Sequence, residues 1–111
     1  MTQRLFIYGT LAPGQSNHKI LEDIPGSWKQ GSIRGALLQE GWGASMGCPG
    51  IVPSNDGDIV EGFIFTSEQL TKHWQMLDKF EGEEYTRVLV PVRVNGIQDG
   101  EAYAYVLNRD A

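Results

Sequence analysis

A single stretch of this 111-residue chain carries a helical period. Every other apolar run is short and is broken by glycine, proline or a turn pair. The helical stretch is Thr66–Phe80, "TSEQLTKHWQMLDKF". Leu70, His73, Trp74, Leu77 and Phe80 recur at three and four residues and share one face. Thr66 and Gln69 have the spacing of a capping box. Gly82 stands where a helix ends in a positive φ. With one firm helix, the chain must bury its apolar residues mainly on strands.

The remaining segments read accordingly. "RLFIYG" (Arg4–Gly9) is a buried strand stopped by glycine. "HKILED" (His18–Asp23) makes a short helix capped by Ser16 or Asn17 and ended before Pro25. Ser27–Glu40 is a strand in which Gly31 and Gly35 predict a bulge or bend. "GWGASMGCPG" (Gly41–Gly50) is a loop. Ile51–Phe65 reads as a hairpin turning at Asn55-Asp56-Gly57. In Tyr85–Val94 the residues Val88, Val90, Val92 and Val94 share one face. Pro91 there predicts an edge position or a bulge, because it cannot donate to a ladder. Asn95–Gly100 is a turn and Glu101–Leu107 the last strand. Five or six strands joined mostly by hairpins give an α+β fold. Its sheet is mixed or mainly antiparallel and able to close into a small barrel, in one domain spanning 1–111.

Charge and motif content exclude several functions. The net charge is −5 and the basic residues are scattered. Nucleic acid and anionic membrane partners both require a positive footprint, so neither is expected. No apolar run approaches the ~20 residues that span a bilayer. The N-terminal "MTQRLFIYGTL" lacks the pattern of a signal peptide. A cytoplasmic protein is the expectation. Cys48, His18 and His73 lie far apart without ligand spacing, so no metal site is expected. His73 reads as a packing residue and Cys48 as a plain thiol. Neither a phosphate-cradling loop nor a dinucleotide fingerprint occurs, and no cofactor is expected.

Two features stand out. The first is the corner Ile7–Leu11, "IYGTL", where a strand turns at Gly9. Successive backbone N–H groups at such a turn form an anion-binding nest; the same residues also suit an ordinary strand-ending turn. The second is the acidic helix end, with Asp78, Glu81, Glu83 and Glu84 inside seven residues. A helix C-terminus disfavours anions. Like charges and partial burial there both raise a carboxyl pKa, which is what acid–base work requires. The alternative is a solvated acidic loop.

Both features belong to motifs with a family resemblance. "FIYGTL" (Phe6–Leu11) resembles the Tyr-Gly-Ser/Thr-Leu loop of the gamma-glutamylcyclotransferase-like family. "LDKFEGEEYTRVLVPV" (Leu77–Val92) is similar to that family's Leu-Asp-x-x-Glu-Gly segment followed by Tyr-x-Arg. The likeness covers nearly the whole chain. It is greatest to small bacterial members and to gamma-glutamylamine cyclotransferases. It implies a small mixed barrel with flanking short helices. It also implies that the loop matching Tyr8, Gly9, Thr10 and Leu11 binds the substrate α-carboxylate through backbone amides, and that Glu81 is the catalytic acid–base. "GWGASMGCPGIVPS" is richer in glycine than the family's Tyr-Pro-Ala type of segment, which leaves the pocket wall and the substrate open.

The reaction so implied is intramolecular. The α-amine of a γ-glutamyl group attacks its own side-chain carbonyl, forming 5-oxoproline and expelling an amine. No nucleophilic side chain is needed, in keeping with a chain that has no Ser-His or Cys-His pair. The expected partner is a small molecule bearing a γ-glutamyl group. Tyr8, Tyr85 and Tyr105 are candidates to line its pocket, with packing roles equally open for Tyr85 and Tyr105. A binding protein without turnover, and an interaction protein presenting Trp28 and Trp42, are the alternative classes.

Overall fold

The computed structural model describes residues 2–8, 13–15, 18–38 and 50–107. They form β1 (Gln3–Ile7), α1 (Lys19–Glu22), β2 (Ser27–Leu38), β3 (Gly50–Pro53), β4 (Asp58–Ser67), α2 (Trp74–Glu81), β5 (Tyr85–Val94) and β6 (Ile97–Leu107). A one-turn 3-10 helix, Leu70–Lys72, leads into α2. Among the described residues no helix is long and apolar enough to cross a membrane.

The strands lie in the order β3-β2-β4-β1-β6-β5, and β5 returns to β2 through Ser32 opposite Arg93. Five strands thereby close a barrel, and β3 extends it from the side of β2. All pairs are antiparallel except β1 with β6, which run parallel with Leu5 opposite Tyr103. The ion pair of Arg4 with Asp99, 2.8 Å, ties that parallel pair together. The mixed, mainly antiparallel barrel with short flanking helices is the fold expected.

Strand periodicity divides the core in two, because successive side chains point to opposite faces. Inside the barrel lie Phe6, Ile33, Ile51, Val60, Ile64, Val90, Val92, Ala102, Ala104 and Val106. Small residues face large ones across the β5–β6 pair, as in Val88 opposite Ala104 and Val90 opposite Ala102. On the outer face, Leu5, Ile7, Phe65 and Tyr105 are covered by Leu21 of α1, by Ile24, and by Leu70, Trp74 and Leu77. The helical stripe thus does what its spacing predicts. Leu70 and Leu77 are fully buried, and His73 and Phe80 are half-buried. Burying a side chain of the size of Leu77 contributes about 1.5–3 kcal/mol.

Several details depart from the sequence expectations. Residues 51–65 are not a hairpin. The turn forms, with the Gly57 N–H donating to the Ser54 carbonyl at 3.1 Å. However, β3 and β4 pair with opposite edges of β2 and not with each other. β2 lies between them, and each of its two edges carries one ladder. Gly31 and Gly35 mark close approach and no bulge, since the β2–β4 register runs unbroken from Ser27 to Gly35. A Cβ on Gly31 would meet Ile64 at 2.6 Å, and one on Gly35 the Val52 carbonyl at 2.6 Å.

The helix is shorter than its pattern, because Thr66 and Ser67 complete β4. The Ser67 hydroxyl accepts the Gln69 N–H at 2.9 Å and donates to the Pro25 carbonyl, so it caps the turn before the helix. His73 takes the N-cap of α2 without a side-chain bond. His18 takes the N-cap of α1, whose expected caps Ser16 and Asn17 lie outside the described residues. The last hairpin is tighter than expected. Asn95 and Gly96 adopt φ of 55° and 78°, a two-residue turn, and β6 begins at Ile97. The predicted irregularity at Pro91 is present as a register shift between Pro91 and Arg93.

Candidate active site

One rim of the barrel gathers the end of β1, the start of β3, the start of β5 and the end of β6, a consequence of the strand directions. The C-terminus of α2 comes down beside it. Tyr8 follows β1 at this rim, and its ring stacks on Phe6 with centroids 6.2 Å apart. Its hydroxyl donates to the Tyr105 carbonyl at 2.7 Å and accepts the Ile51 N–H at 3.0 Å. Tyr8 therefore laces β1, β3 and β6 together where the barrel opens.

Glu81 is the last residue of α2, half-buried. Gly82 ends the helix with φ 83°, its N–H donating to the Asp78 carbonyl at 3.0 Å. Glycine tolerates this left-handed conformation without strain. Burial pushes the Glu81 carboxyl up from the ordinary range to about 7. Burial, one of the two causes expected from the sequence, drives the rise. Glu83 and Glu84 are exposed, and the charge of Asp78 is taken up elsewhere.

Asp78 is the hub of a second set of contacts. The Arg87 guanidinium grips it through Nε to Oδ1 at 3.0 Å and Nη2 to Oδ2 at 3.4 Å. The Tyr105 hydroxyl donates to Oδ1 at 2.6 Å. Arg87 in turn lies over the Trp74 ring at 4.2 Å and the Tyr103 ring at 5.0 Å. Strand register explains the gathering. Tyr85 and Arg87 stand opposite Leu107 and Tyr105 on the outer face, toward α2. Of the acids at the helix end, Asp78 is paired with an arginine, Glu81 is half-buried, and Glu83 and Glu84 have exposed side chains.

Tyr8 and Tyr105 hold their protons tightly. Burial chiefly pushes Tyr8 well above the usual phenol range. The Ile51 N–H opposes this, while Tyr85 and Glu81 add to it. Tyr105 is raised first by burial, then by its bond to Asp78 and that carboxylate's charge. Arg87 acts against the shift and Glu81 with it. Glu81 thus stands close enough to Tyr8 and Tyr105 for its charge to be felt by both. An open groove of about 700 Å³ runs alongside, lined by Asp78, Gly82, Glu83, Tyr85, Arg87 and Tyr105 among others.

Of the residues predicted for the site, Tyr8, Glu81, Tyr85 and Tyr105 converge on this rim. Gly9, Thr10 and Leu11 lie outside the described residues, as do Cys48, Trp42 and most of the Gly41–Gly50 loop. Trp28 is half-buried, with its ring 5.1 Å from that of His18 and 4.7 Å from that of Phe65. Sequence reasoning gave no role to Arg87. The signal was the first cation on the strand that follows four acids. Among the described residues no group of three or more His, Cys, Asp or Glu is placed to hold a metal ion.

A closed five-strand mixed barrel with a buried glutamate at its rim defines the class, and the comparisons agree. The model of the family "Gamma-glutamyl cyclotransferase, AIG2-like" matches residues 5–111, and the chain belongs to that family of cyclotransferase-type enzymes. A relative from Niallia circulans, gamma-L-glutamyl-butirosin B gamma-glutamyl cyclotransferase, is 34% identical over 96% of this chain and 67% of its own length. Among solved structures, an AIG2-like protein from Mus musculus is 26% identical with a TM-score of 0.74, over 99% of this chain and 80% of that one. YkqA from Bacillus subtilis is 26% identical with a TM-score of 0.73 over 97% of this chain. The chain spans only 36% of YkqA.

Proposed function

We propose that this protein cyclises γ-glutamyl amines or γ-glutamyl amino acids to 5-oxoproline, with Glu81 as the proton carrier. One observation carries the reading: a carboxyl at the barrel rim, held by burial at about 7, beside the hydrogen-bonded pair Tyr8 and Tyr105. The substrate α-amine has an ordinary value near ~8. A carboxylate near 7 is closely matched to accept its proton and to return it.

The step balances without water. The neutral α-nitrogen attacks the γ-carbonyl carbon and a ring C–N bond forms. Its proton passes to Glu81. The tetrahedral carbon then expels the amide nitrogen, which takes the proton from Glu81 and leaves as an amine. The backbone amides of Tyr8, Gly9, Thr10 and Leu11 hold the α-carboxylate, which folds the substrate for ring closure. Such positioning contributes as much as or more than the ~10²–10⁴-fold of proton transfer. Tyr8 and Tyr105 commit their protons to the Tyr105 carbonyl and to Asp78. They therefore shape the pocket, while Tyr85 lines the groove through which the leaving amine departs.

The test is 5-oxoproline release from a panel of γ-glutamyl amino acids, γ-glutamyl amines and γ-glutamyl-butirosin B, with Glu81→Gln alongside. The name of the Niallia circulans relative motivates the last member. Turnover by wild type, lost in a folded Glu81→Gln, supports the reading and names the leaving group. Binding without turnover by wild type would make this a ligand-binding member of the family. Turnover that survives Glu81→Gln would assign the proton transfer elsewhere.

A further inference from the structure

We infer that the seam where β2 passes from β5 to β3 is a binding site for a small organic carboxylate, held between the Arg34 and Arg93 guanidiniums. The site lies at the far end of the barrel from Glu81 and is independent of the reaction proposed above. Tyr85 starts β5 at the active-site rim and Arg93 stands near its other end, roughly 25 Å of extended strand away.

The seam follows from how the strands share β2. Ser32 pairs with Glu61 of β4 and with Arg93 of β5, so β5 meets the edge of β2 away from β4. Gly35 pairs with Asp58 of β4 and with Pro53 of β3, so β3 takes over that same edge. Ile33 and Arg34, between the two pairings, have strand partners on the β4 side alone. On the facing strand the register shifts between Pro91 and Arg93, and proline has no N–H to offer a ladder. A concavity of about 310 Å³ lies at this interruption. Ile33, Pro53, Val90 and Pro91 give it an apolar wall.

Two cations line this concavity in a chain of net charge −5. Arg4 and Arg87 each hold an aspartate. Among the described residues no carboxylate stands within ion-pair distance of Arg34 or Arg93. Arg34 donates to the Gly57 carbonyl at 3.2 Å, and Arg93 touches the Gly96 carbonyl at 3.5 Å. Each guanidinium carries several further donors. Asp56, Asp58 and Glu101, on the adjoining turn and strands, are exposed. Strand alternation puts the two arginines on one face, because Arg34 is two residues beyond Ser32 and Arg93 stands opposite Ser32. Ser54, Asn55 and Gln98 add neutral hydrogen-bonding groups. A guanidinium fork suits carboxylate and phosphate alike. The apolar wall decides between them: it can cover a short hydrocarbon body and gives inorganic phosphate nothing to bury.

The experiment is an NMR titration of the wild-type protein at low salt with butyrate, with its neutral isostere butyramide, and with inorganic phosphate. Amide and arginine side-chain signals locate the binding. Butyrate is expected to give saturable shifts at Arg34, Ser54, Asn55, Arg93 and Gln98, with a midpoint on the order of 1 mM. Butyramide and phosphate are each expected to bind at least about tenfold more weakly, the first for want of charge and the second for want of an apolar body. Arg34→Gln and Arg93→Gln, checked for folding by circular dichroism, should each weaken butyrate about tenfold, and the double variant should abolish the shifts. Turnover at the Glu81 rim should stay as in wild type in all three. Butyramide binding as tightly as butyrate, butyrate shifts confined to the Tyr8–Glu81 rim, or binding that survives in the double variant would overturn the inference. Phosphate binding as tightly as butyrate would overturn the assignment to a carboxylate. The comparison of the three probes needs no variant, so a misfolded arginine variant leaves the test intact.

Discussion

The interior of the barrel and its α2-side rim are built by the same strands, yet they solve opposite problems. Among the described residues, ten buried apolar side chains pack together in the interior. The rim carries two carboxylates, an arginine and three tyrosines within one small region. The interior is made by alternation along strands, where every second residue must be apolar. The rim is made where elements end, and there backbone direction, not alternation, decides which side chains meet. Packing stability resides in the first region, and the chemistry we propose in the second. The burial that raises the Glu81 pKa comes from the packing beside it.

The division makes graded predictions. Replacing an interior residue should damage stability most. Ile64→Ala is expected to lower unfolding free energy by about 2–5 kcal/mol in urea. Turnover per folded molecule should be nearly unchanged. Adding volume at the seam between the regions is the next strongest break. A Cβ at Gly62 would stand 2.4 Å from the Ile7 carbonyl and 2.8 Å from the Phe6 ring. Gly62→Ala should therefore cost about 1–3 kcal/mol, readable as a lower Tm, and should disturb Tyr8 through Phe6.

At the rim itself the sign reverses. Glu81 has a folded pKa raised above its unfolded value, so the folded state binds the proton more tightly. Its contribution to stability is fully present below about 4.5 and is lost as pH rises through about 7. Glu81→Gln should accordingly be more stable than wild type at pH 8, by on the order of 2–3 kcal/mol. The gain should vanish below pH 4.5, as followed by denaturant melts across pH. Tyr8→Phe removes a hydroxyl that satisfies both the Ile51 N–H and the Tyr105 carbonyl, and should cost about 1–3 kcal/mol. Smallest of all, Glu84 is exposed. Glu84→Gln should change stability by less than about 0.5 kcal/mol and leave turnover intact.

Much of the interior was legible in the chain, because periodicity reports which face is buried. The valines of β5 and the Leu70–Leu77 stripe identify their own inward sides. Partner choice was not legible. Alternation in Ile51–Phe65 is satisfied equally by a hairpin and by two strands flanking β2. Nothing local distinguishes a parallel β1–β6 pair. At the rim, the residue types were readable and their relations were not. Glu81 is conspicuous as an acid at a helix end, but its raised pKa comes from burial by residues distant in sequence. The pairing of Asp78 with Arg87 depends on α2 lying across β5, and the Tyr8–Tyr105 bond joins residues near the two ends of the chain.

The central claim is that the proton carrier is the buried carboxyl at the rim. It is tested most directly by the pH dependence of kcat/KM for 5-oxoproline release, in wild type and in Glu81→Gln. As a base, Glu81 must be ionised, so the wild-type rate should rise through an acid limb near 7. That limb should disappear with the activity in the variant. An acid limb in the range of an ordinary exposed carboxylate, or a limb near 7 that persists in Glu81→Gln, would contradict the account.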